Sequence, residues 1–374
     1  MSFEIKGKTL FCTLTEDDIE NDFKKLQNMK MEPCYSKQQW ELKDGKMKYK
    51  NLGLLGFCNY GKQFSNYFHW KDRFAARSIH HRSAWDVFED YKSGKSEMLK
   101  NATKSLRKHY PRISESRLLF ESLAHNSAIV TVKQFRPFVS KFFCDKMGSK
   151  NVLDFSAGWG DRLAGFLASK SVKNITLIEP RKNAKLKYIE QYKFAKKYNG
   201  LEQNLVIHTG AAEDIMPTLN NKFDLIISSP PYLDLEIYDN TQSPKNQAPY
   251  RYKNDVEKYL KKFLYPVIDN SFRMLNDTGI FCLNIGDNSK KGVIYTDLII
   301  KYVQSKFSDI VLVGVIGYRK MSTMWYGKKV IAEPIFCFCK KSNKQKICNS
   351  LKGQKILTRR KKSRTILSKK NKSV

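Results

Sequence analysis

The chain has 374 residues, of which 41% are hydrophobic and 13% aromatic, so it can bury a substantial core and is not a disordered polypeptide. Its 68 lysines and arginines outnumber its 36 acidic residues, and the resulting net charge of +32 favours contact with polyanions such as nucleic acid. The chain contains no run of eighteen apolar residues and no signal-peptide core, which predicts a soluble intracellular protein without a membrane partner. Nucleus and cytoplasm are not distinguished by these features.

The first 130 residues are predicted to form a basic, aromatic-rich accessory domain that is mainly helical. Four helices are predicted over 15–29, 83–93, 96–108 and 114–125, each with Thr or Ser at the N-cap. Aromatic residues between 40 and 85 alternate with cations such as Lys62 and Arg73. This mixture suits either stacking on nucleobases or the ordinary core of amphipathic helices, and both interpretations stay open. His69, His80 and His81 lie near Cys58, but their spacing fits no standard zinc site, so no metal is predicted.

The next feature is a glycine turn between a strand and a helix. Residues 150–156 are predicted as a buried strand that ends near Asp154, and Ala157, Gly158 and Gly160 precede the helix at 161–170. Glycine lets the backbone approach a ligand closely, and a turn of this kind is typical of nucleotide-type cofactor sites. The sequence therefore predicts a cofactor site at the end of this strand.

Acidic residues follow the next two predicted strands. Glu179 ends the strand at 175–179, about 25 residues after Asp154, and an acid at this place suits the hydroxyl groups of a ribose. Glu213 and Asp214 follow the strand at 205–208, where an acid could contact an adenine amino group. Of these two acids, Asp214 is predicted to bind the cofactor.

The fourth strand, predicted over 225–228, ends in Ser229, Pro230, Pro231 and Tyr232, a group called here the proline slot. Prolines fix the backbone and remove N–H donors, so their carbonyls can point outwards as acceptors. An acceptor pair beside an aromatic ring can hold a planar –NH2 group. Alone, two prolines after a strand more often mark a plain turn.

The remaining segments alternate between strands and helices. Further helices are predicted over 181–198, 254–275 and 296–307, and further strands over 280–285, 310–316 and 331–338. This alternation predicts an α/β fold whose mostly parallel sheet has helices on both faces. The glycine turn and the proline slot would then lie close together at the carboxyl ends of neighbouring strands.

Residues 131–341 resemble class I S-adenosylmethionine-dependent methyltransferases, and most of all the DNA amino-methyltransferases that make N6-methyladenine or N4-methylcytosine. Their glycine motif, Asp-Pro-Phe-x-Gly-Ser-Gly, corresponds to residues 154–160, although Ser156 and Trp159 depart from it. Their catalytic motif, Asp, Asn or Ser before Pro-Pro and an aromatic residue, matches the proline slot. The resemblance implies a Rossmann-like fold with an antiparallel last strand and S-adenosylmethionine as the cofactor.

The resemblance also assigns roles to residues. Catalysis is expected at the proline slot, and Ser in its first position leans towards cytosine without excluding adenine. The cofactor-binding residues are expected to be Phe135, Pro137, Asp154, Ser156, Ala157, Gly158, Gly160, Glu179, Asp214 and Ser229. Phe135 and Pro137 belong to a segment expected to close over the cofactor. Asp234 and Glu236 could contact the acceptor, although a solvated acidic loop explains them more simply.

The expected organisation is thus an accessory or target-recognition domain at 1–130, a methyltransferase domain at 131–341 and a basic disordered tail at 342–374. DNA is the expected partner, with RNA as the alternative. Two other functions stay open: amino-methylation of RNA or of a protein amide, and an inactive methyltransferase fold that only binds nucleic acid. The oligomeric state is not predicted.

Overall fold

The computed structural model describes residues 3–5, 8–10, 12–30, 40–41, 48–78, 81–95, 97–125, 132–200, 202–233, 236–238, 247–287, 294–319, 325–326 and 329–351. Predictions made for His80, Ser96, Asp234 and residues 352–374 lie outside these ranges. Among the described residues, no helix is long and apolar enough to cross a membrane.

Fifteen strands and fourteen α-helices occur in the described residues. The strands are β1 (Phe3–Ile5), β2 (Lys8–Leu10), β3 (Trp40–Glu41), β4 (Asn51–Leu55), β5 (Arg77–Ser78), β6 (Asn151–Asp154), β7 (Asn174–Glu179), β8 (Asn204–Thr209), β9 (Phe223–Ser228), β10 (Glu236–Ile237), β11 (Leu275–Asn284), β12 (Ile310–Tyr318), β13 (Trp325–Tyr326), β14 (Lys329–Ile331) and β15 (Glu333–Lys340). The helices are α1 (Glu16–Asn28), α2 (Lys62–Ala75), α3 (Ala84–Lys92), α4 (Met98–His109), α5 (Glu115–His125), α6 (Pro137–Met147), α7 (Asp161–Leu167), α8 (Ala184–Asn199), α9 (Ala212–Ile215), α10 (Ala248–Arg251), α11 (Val256–Tyr259), α12 (Tyr265–Met274), α13 (Tyr295–Lys306) and α14 (Lys344–Leu351).

The main sheet has eight strands in the order β4-β12-β15-β11-β9-β6-β7-β8. Strands β8, β7, β6, β9 and β11 pair in parallel, whereas β15 runs antiparallel between β11 and β12. Because β15 is reversed, its first residues lie at the same edge as the carboxyl ends of its neighbours. The predicted Rossmann-like sheet with an antiparallel last strand is confirmed.

Consecutive residues of a strand face opposite sides of the sheet, and the two hydrophobic cores follow this rule. Val152 of β6 packs with Leu163 of α7 and Tyr188 of α8 in one core. Leu153, the next residue, packs with Ile268 of α12 in the other core. Helices therefore cover both faces of the sheet, as the alternation of elements predicts.

The N-terminal segment packs into the first of these cores. Phe64 of α2 is fully buried between Phe23 of α1 and Phe194 of α8, at ring-centroid distances of 4.6 and 6.0 Å. Arg73 is also buried and donates hydrogen bonds to Asn66 and to the backbone of Ala124. At these residues the aromatic–basic mixture forms protein core rather than a surface for stacking nucleobases.

The N-terminal segment also contributes strands that sequence patterns did not predict. Strand β4 pairs in parallel with β12 and forms one edge of the main sheet. Strand β5 pairs with β10, which begins four residues after Tyr232, and β3 pairs with β14. The segment is thus joined to the sheet edge and to two loops near the candidate site, and the domain boundary at residue 130 stays a prediction.

Several element boundaries differ from the predicted ones. The helix predicted over 254–275 is α11 and α12 joined by a π-helical turn at Leu260–Leu264. Helix α4 begins after Glu97 and has no side-chain cap, whereas Thr15 and Ser83 form capping boxes as their positions suggest. The predicted disordered tail begins with helix α14, which buries Ile347 and Leu351. The apolar spacing of these two residues indicates the helix in retrospect.

Candidate active site

A cavity of about 560 Å³ opens at the carboxyl ends of β6, β7 and β9. Its walls include most of the predicted site residues: Phe135, Ser156, Ala157, Gly158, Glu179, Ser229, Pro230, Pro231 and Tyr232. Asp154, Gly160, Pro137 and Asp214 are not among the lining residues. The volume is within the usual range for cofactor and small-molecule sites.

Residues 157–160 form the glycine loop between β6 and α7. Gly158 and Gly160 have φ values of 57° and 69°, which glycine adopts at little cost. The Tyr188 hydroxyl donates to the Gly158 carbonyl at 2.5 Å, and Gln191 Nε2 donates to the Gly160 carbonyl at 2.9 Å. Two side chains of α8 therefore hold the loop in place.

We expect Gly160→Ala to weaken cofactor binding and lower the melting temperature. An added Cβ would lie 2.2 Å from Gln191 Oε1, so Gln191 must move and the loop loses one of its two hydrogen bonds from α8. Gly148→Ala is the matched control, because Gly148 has a φ of 61° and no atom within 4 Å of an added Cβ. Both variants carry the backbone cost of about 1–2 kcal/mol. Calorimetric titration with S-adenosylhomocysteine checks this, and equal affinities in the two variants would contradict it.

Asp154 lies beneath the glycine loop rather than in the cavity wall. It is fully buried, and its carboxylate accepts hydrogen bonds from Arg162 Nε at 2.7 Å, the Ser228 hydroxyl at 2.8 Å and the Ser156 backbone N–H at 3.1 Å. The structure therefore differs from the predicted direct contact with the cofactor. Asp154 orders the loop through these three partners.

Glu179 lines the cavity at the end of β7, as predicted. Its carboxylate accepts from the Gly158 backbone N–H at 2.8 Å and from Arg181 Nε at 2.7 Å. The Arg181 guanidinium lies 4.4 Å from the centre of the Trp159 ring and forms a cation–π contact with it. Trp159 is one of the two residues that depart from the glycine motif of the similar family. Trp159 takes part in the cavity wall beside Glu179.

The acid that faces the cavity after β8 is Glu213, not the predicted Asp214. Glu213 is largely buried, bonds to Arg251 Nε at 2.9 Å and accepts from the Tyr252 hydroxyl. Burial raises the pKa of Glu213, and the hydrogen bond from Tyr252 opposes that shift. Asp214 points outwards and bonds to Arg251 Nη2 at 2.7 Å. Adjacent residues of a helix point about 100° apart, so only the three-dimensional structure separates the two acids.

Two predicted residues, Phe135 and Pro137, lie at the start of α6. Phe135 lines the cavity, and its ring lies 4.9 Å from the Arg162 guanidinium. Pro137 is the first residue of α6 and packs near Gly61, away from the cavity wall. Gln134, directly before Phe135, also lines the cavity, although no role was predicted for it.

The proline slot stands on the other side of the glycine loop, directly after β9. The Gly286 backbone N–H donates to the Tyr232 hydroxyl at 2.8 Å, and the Tyr259 hydroxyl donates to the Pro231 carbonyl at 2.8 Å. Burial raises the pKa of Tyr232, so the phenol stays neutral at physiological pH. In the described part of the chain the Ser229 hydroxyl has no hydrogen-bond partner, which leaves it available to a ligand.

The residues present fit S-adenosylmethionine. The sheet order places Glu213, Glu179, the glycine loop and Ser229 at the ends of β8, β7, β6 and β9 in turn. Gln134 and Trp159 both line the cavity, and each has a buried polar atom, Oε1 and Nε1 respectively. Neither atom has a hydrogen-bond partner in the described structure. Buried polar atoms without partners are costly, so their presence in the cavity wall favours a polar ligand. An adenine, a ribose and a charged tail can extend along this row of strand ends.

His69 is buried against Gly160 rather than exposed for a metal. Burial lowers its pKa well below the ordinary value, and neighbouring Arg181 adds to that shift. Within the described residues, no group of three or more His, Cys, Asp or Glu could hold a metal ion.

Residues 223–373 match the model of a protein family described as DNA methylase. The match is less than half of the chain and begins after the glycine loop. It contains the proline slot and the main-sheet strands β9, β11, β12 and β15. No curated protein matches the chain.

Solved structures with similar folds are distant from this chain. An rRNA methylase from Streptococcus thermophilus is 13% identical, with a TM-score of 0.34, over 56% of this chain and 99% of its own. The N-methyltransferase NodS from Bradyrhizobium japonicum is 12% identical, with a TM-score of 0.33, over 51% and 86%. A tRNA m1G37 methyltransferase from M. jannaschii is 16% identical, with a TM-score of 0.31, over 56% and 51%. Because these scores are below 0.5, the fold assignment rests on the sheet order itself.

Proposed function

We propose that this chain, a class I S-adenosylmethionine-dependent methyltransferase, transfers its methyl group to the exocyclic amine of cytosine or adenine in DNA. The observation that carries the proposal is the proline slot at the end of β9, whose Ser229 hydroxyl is available beside the Tyr232 ring in the same cavity as the glycine loop. The DNA methylase match over residues 223–373 supports the same substrate class.

The slot residues act on the acceptor amine. The lone pair of an exocyclic amine is delocalised into its ring, which makes the nitrogen a weak nucleophile. Hydrogen bonds from the two N–H groups to the Ser229 hydroxyl and the Pro230 carbonyl would favour a more tetrahedral nitrogen with a localised lone pair. The contribution of the slot is thus orientation and electrostatic stabilisation.

S-adenosylmethionine, when bound, supplies an electrophilic methyl group on a positively charged sulfur. The new N–C bond forms as the S–C bond breaks, and the nitrogen then releases one proton to solvent. No strong base is needed before the attack, because the nitrogen becomes acidic once it is methylated. Tyr232 would stack on the base, and the hydrogen bond from the Gly286 backbone N–H to its hydroxyl would hold the ring in position.

The net charge supports a nucleic-acid substrate, and the family match supports DNA in particular. A net charge of +32 would attract phosphates by counterion release. A base in a duplex would have to be flipped out of the stack, at a cost of roughly a few kcal/mol. Single-stranded DNA avoids that cost and is expected to react faster when the sequence recognised is the same.

Labelled methyl transfer tests this proposal. The protein and tritiated S-adenosylmethionine are incubated in four parallel reactions. These contain duplex DNA, single-stranded DNA, RNA and a protein extract, respectively. Label is expected in the DNA samples and should become acid-soluble after DNase treatment. Label confined to RNA would overturn DNA as the substrate, and label confined to protein would overturn the nucleobase as the acceptor.

A further inference from the structure

Helix α4 of the N-terminal segment presents a row of lysines to solvent. Leu99 and Thr103 are buried, so one side of α4 belongs to the protein core. Lys100, Lys104 and Lys108 are exposed and lie away from that side. Their spacing of four residues aligns them on one face of the helix, about 6 Å apart along its axis. These three residues are called here the lysine row.

Two members of the lysine row have no partner for their charge. Lys100 bonds to Glu97 at 3.1 Å, but both side chains of that ion pair are largely exposed, so it contributes little. Lys104 and Lys108 form neither an ion pair nor a cation–π contact within the described structure. Like charges four residues apart destabilise a helix slightly. An anion bound along this face would remove that repulsion.

Helix α8 is also rich in lysine, but several of its charges are used within the protein. Lys187 forms an ion pair with Asp72 of α2. Lys197 lies 5.8 Å from the centre of the Phe194 ring. The lysine row differs from α8 because most of its charge faces solvent without a use in the described fold.

The loop after α4 extends this basic surface. Arg107 donates hydrogen bonds to Glu115 of α5 at 2.7 Å and to a carbonyl group of the loop, so the loop is tied to both helices. Tyr110, at the end of α4, is 55% exposed, and Arg112 is exposed beside it. Residues 95–112 contain six lysines and arginines and one acid. An exposed aromatic ring among cations suits a nucleic acid, whose sugars and bases adjoin its phosphates.

Packed elements join the lysine row to the candidate active site. Helix α4 packs against α3, whose Trp85 ring lies 5.7 Å from the Trp70 ring of α2. Helix α2 reaches the cavity wall, where its Ser65 hydroxyl donates to Asp161. Strand β5, between α2 and α3, pairs with β10, whose Glu236 also lines the cavity. A polymer held by α4 would therefore be held by a surface that is fixed relative to the cavity.

We propose that α4 and the loop after it bind the phosphate backbone of duplex DNA through Lys100, Lys104, Lys108 and Arg112. Phosphates repeat at regular intervals along DNA, and regularly spaced lysines can contact them without reading the sequence. The inference rests on the proposed function, because DNA is the polymer whose base would enter the proline slot. It gives the N-terminal segment the task of holding the polymer while the cavity acts on one base.

Fluorescence anisotropy of a labelled, mixed-sequence DNA duplex tests this proposal without methyl transfer. The affinity of the full chain is measured from about 50 to 200 mM salt. The triple variant Lys100→Gln/Lys104→Gln/Lys108→Gln should reduce the slope of log affinity against log salt by about two to three, since each lost phosphate contact accounts for about 0.9. Its affinity at the lowest salt should fall by about tenfold or more. Because glutamine and lysine have similar helix propensities, its melting temperature should not fall.

The triple variant Lys185→Gln/Lys193→Gln/Lys196→Gln on α8 is the matched control. It removes the same charge from exposed positions of another helix and should leave the salt slope close to that of the wild type. An equal loss of slope in both triple variants, or no loss in the α4 variant, would overturn the proposal. A loss that appears with an RNA duplex and not with the DNA duplex would overturn it as well.

Methyl transfer at limiting DNA concentration separates this inference from the proposed function. Wild-type transfer rates in the α4 variant would overturn the role of the lysine row and leave the proposed function intact. A wild type that methylates no DNA, but whose DNA binding is lost in the α4 variant alone, would support the lysine row and overturn the proposed function.

Discussion

Ser229→Ala is expected to lower methyl transfer by about a hundredfold or more, the usual cost of losing one positioned polar group at a reacting centre. The Ser229 hydroxyl has no partner in the described structure, so its removal leaves no buried group unsatisfied and should not change stability. Cofactor affinity should also stay close to that of the wild type. Single-turnover label transfer measures the rate, and calorimetry with S-adenosylhomocysteine measures the affinity.

Variants of Tyr232 separate the ring from the hydroxyl. Tyr232→Ala removes the expected stacking surface and should also abolish transfer. Tyr232→Phe keeps the ring and loses only the 2.8 Å bond to the Gly286 backbone, so it should retain much of the activity. Wild-type turnover in Ser229→Ala or Tyr232→Ala would show that the acceptor lies elsewhere.

Asp154→Ala is expected to destabilise the whole protein rather than affect the cofactor alone. It would leave the buried guanidinium of Arg162 without its partner, which costs roughly 3–5 kcal/mol. That is a large share of the typical 5–15 kcal/mol free energy of unfolding. Thermal unfolding without ligand should therefore show a much lower melting temperature.

The double variant Asp154→Ala/Arg162→Met provides the control for this effect. Removing both charges avoids the unpaired guanidinium, and replacing a buried ion pair by apolar residues is often neutral. The double variant should therefore be more stable than Asp154→Ala while binding the cofactor poorly. A melting temperature of Asp154→Ala equal to that of the wild type would refute the structural role of the pair.

The sequence predicts the central part of this site because its residues follow the strands directly. In a parallel sheet the carboxyl ends of successive strands meet at one edge, so Gly158, Glu179 and Ser229 are brought together by local pattern alone. The alternation of strands and helices predicts the fold for the same reason. The presence of these three residues in the cavity wall can therefore be predicted from the sequence.

Contacts between distant segments could not be predicted in this way. Strand β4 is only five residues long, and its place beside β12 depends on a pairing across more than 250 residues. The Ser65 hydroxyl of α2 donates a hydrogen bond to the Asp161 carboxylate of α7, and it can do so only because these two helices pack together. The orientation of Asp154 away from the cavity, and of Glu213 into it, depends on side-chain directions that spacing does not fix.

Mass spectrometry of nucleosides tests the central claim most directly. DNA and RNA are incubated with the protein and S-adenosylmethionine that carries a deuterated methyl group, and both polymers are digested to nucleosides. We predict labelled N4-methyldeoxycytidine or N6-methyldeoxyadenosine in the DNA digest, absent when Ser229→Ala replaces the wild type. Label on a ring carbon, on ribose or on RNA nucleosides alone would contradict transfer to an exocyclic amine of DNA.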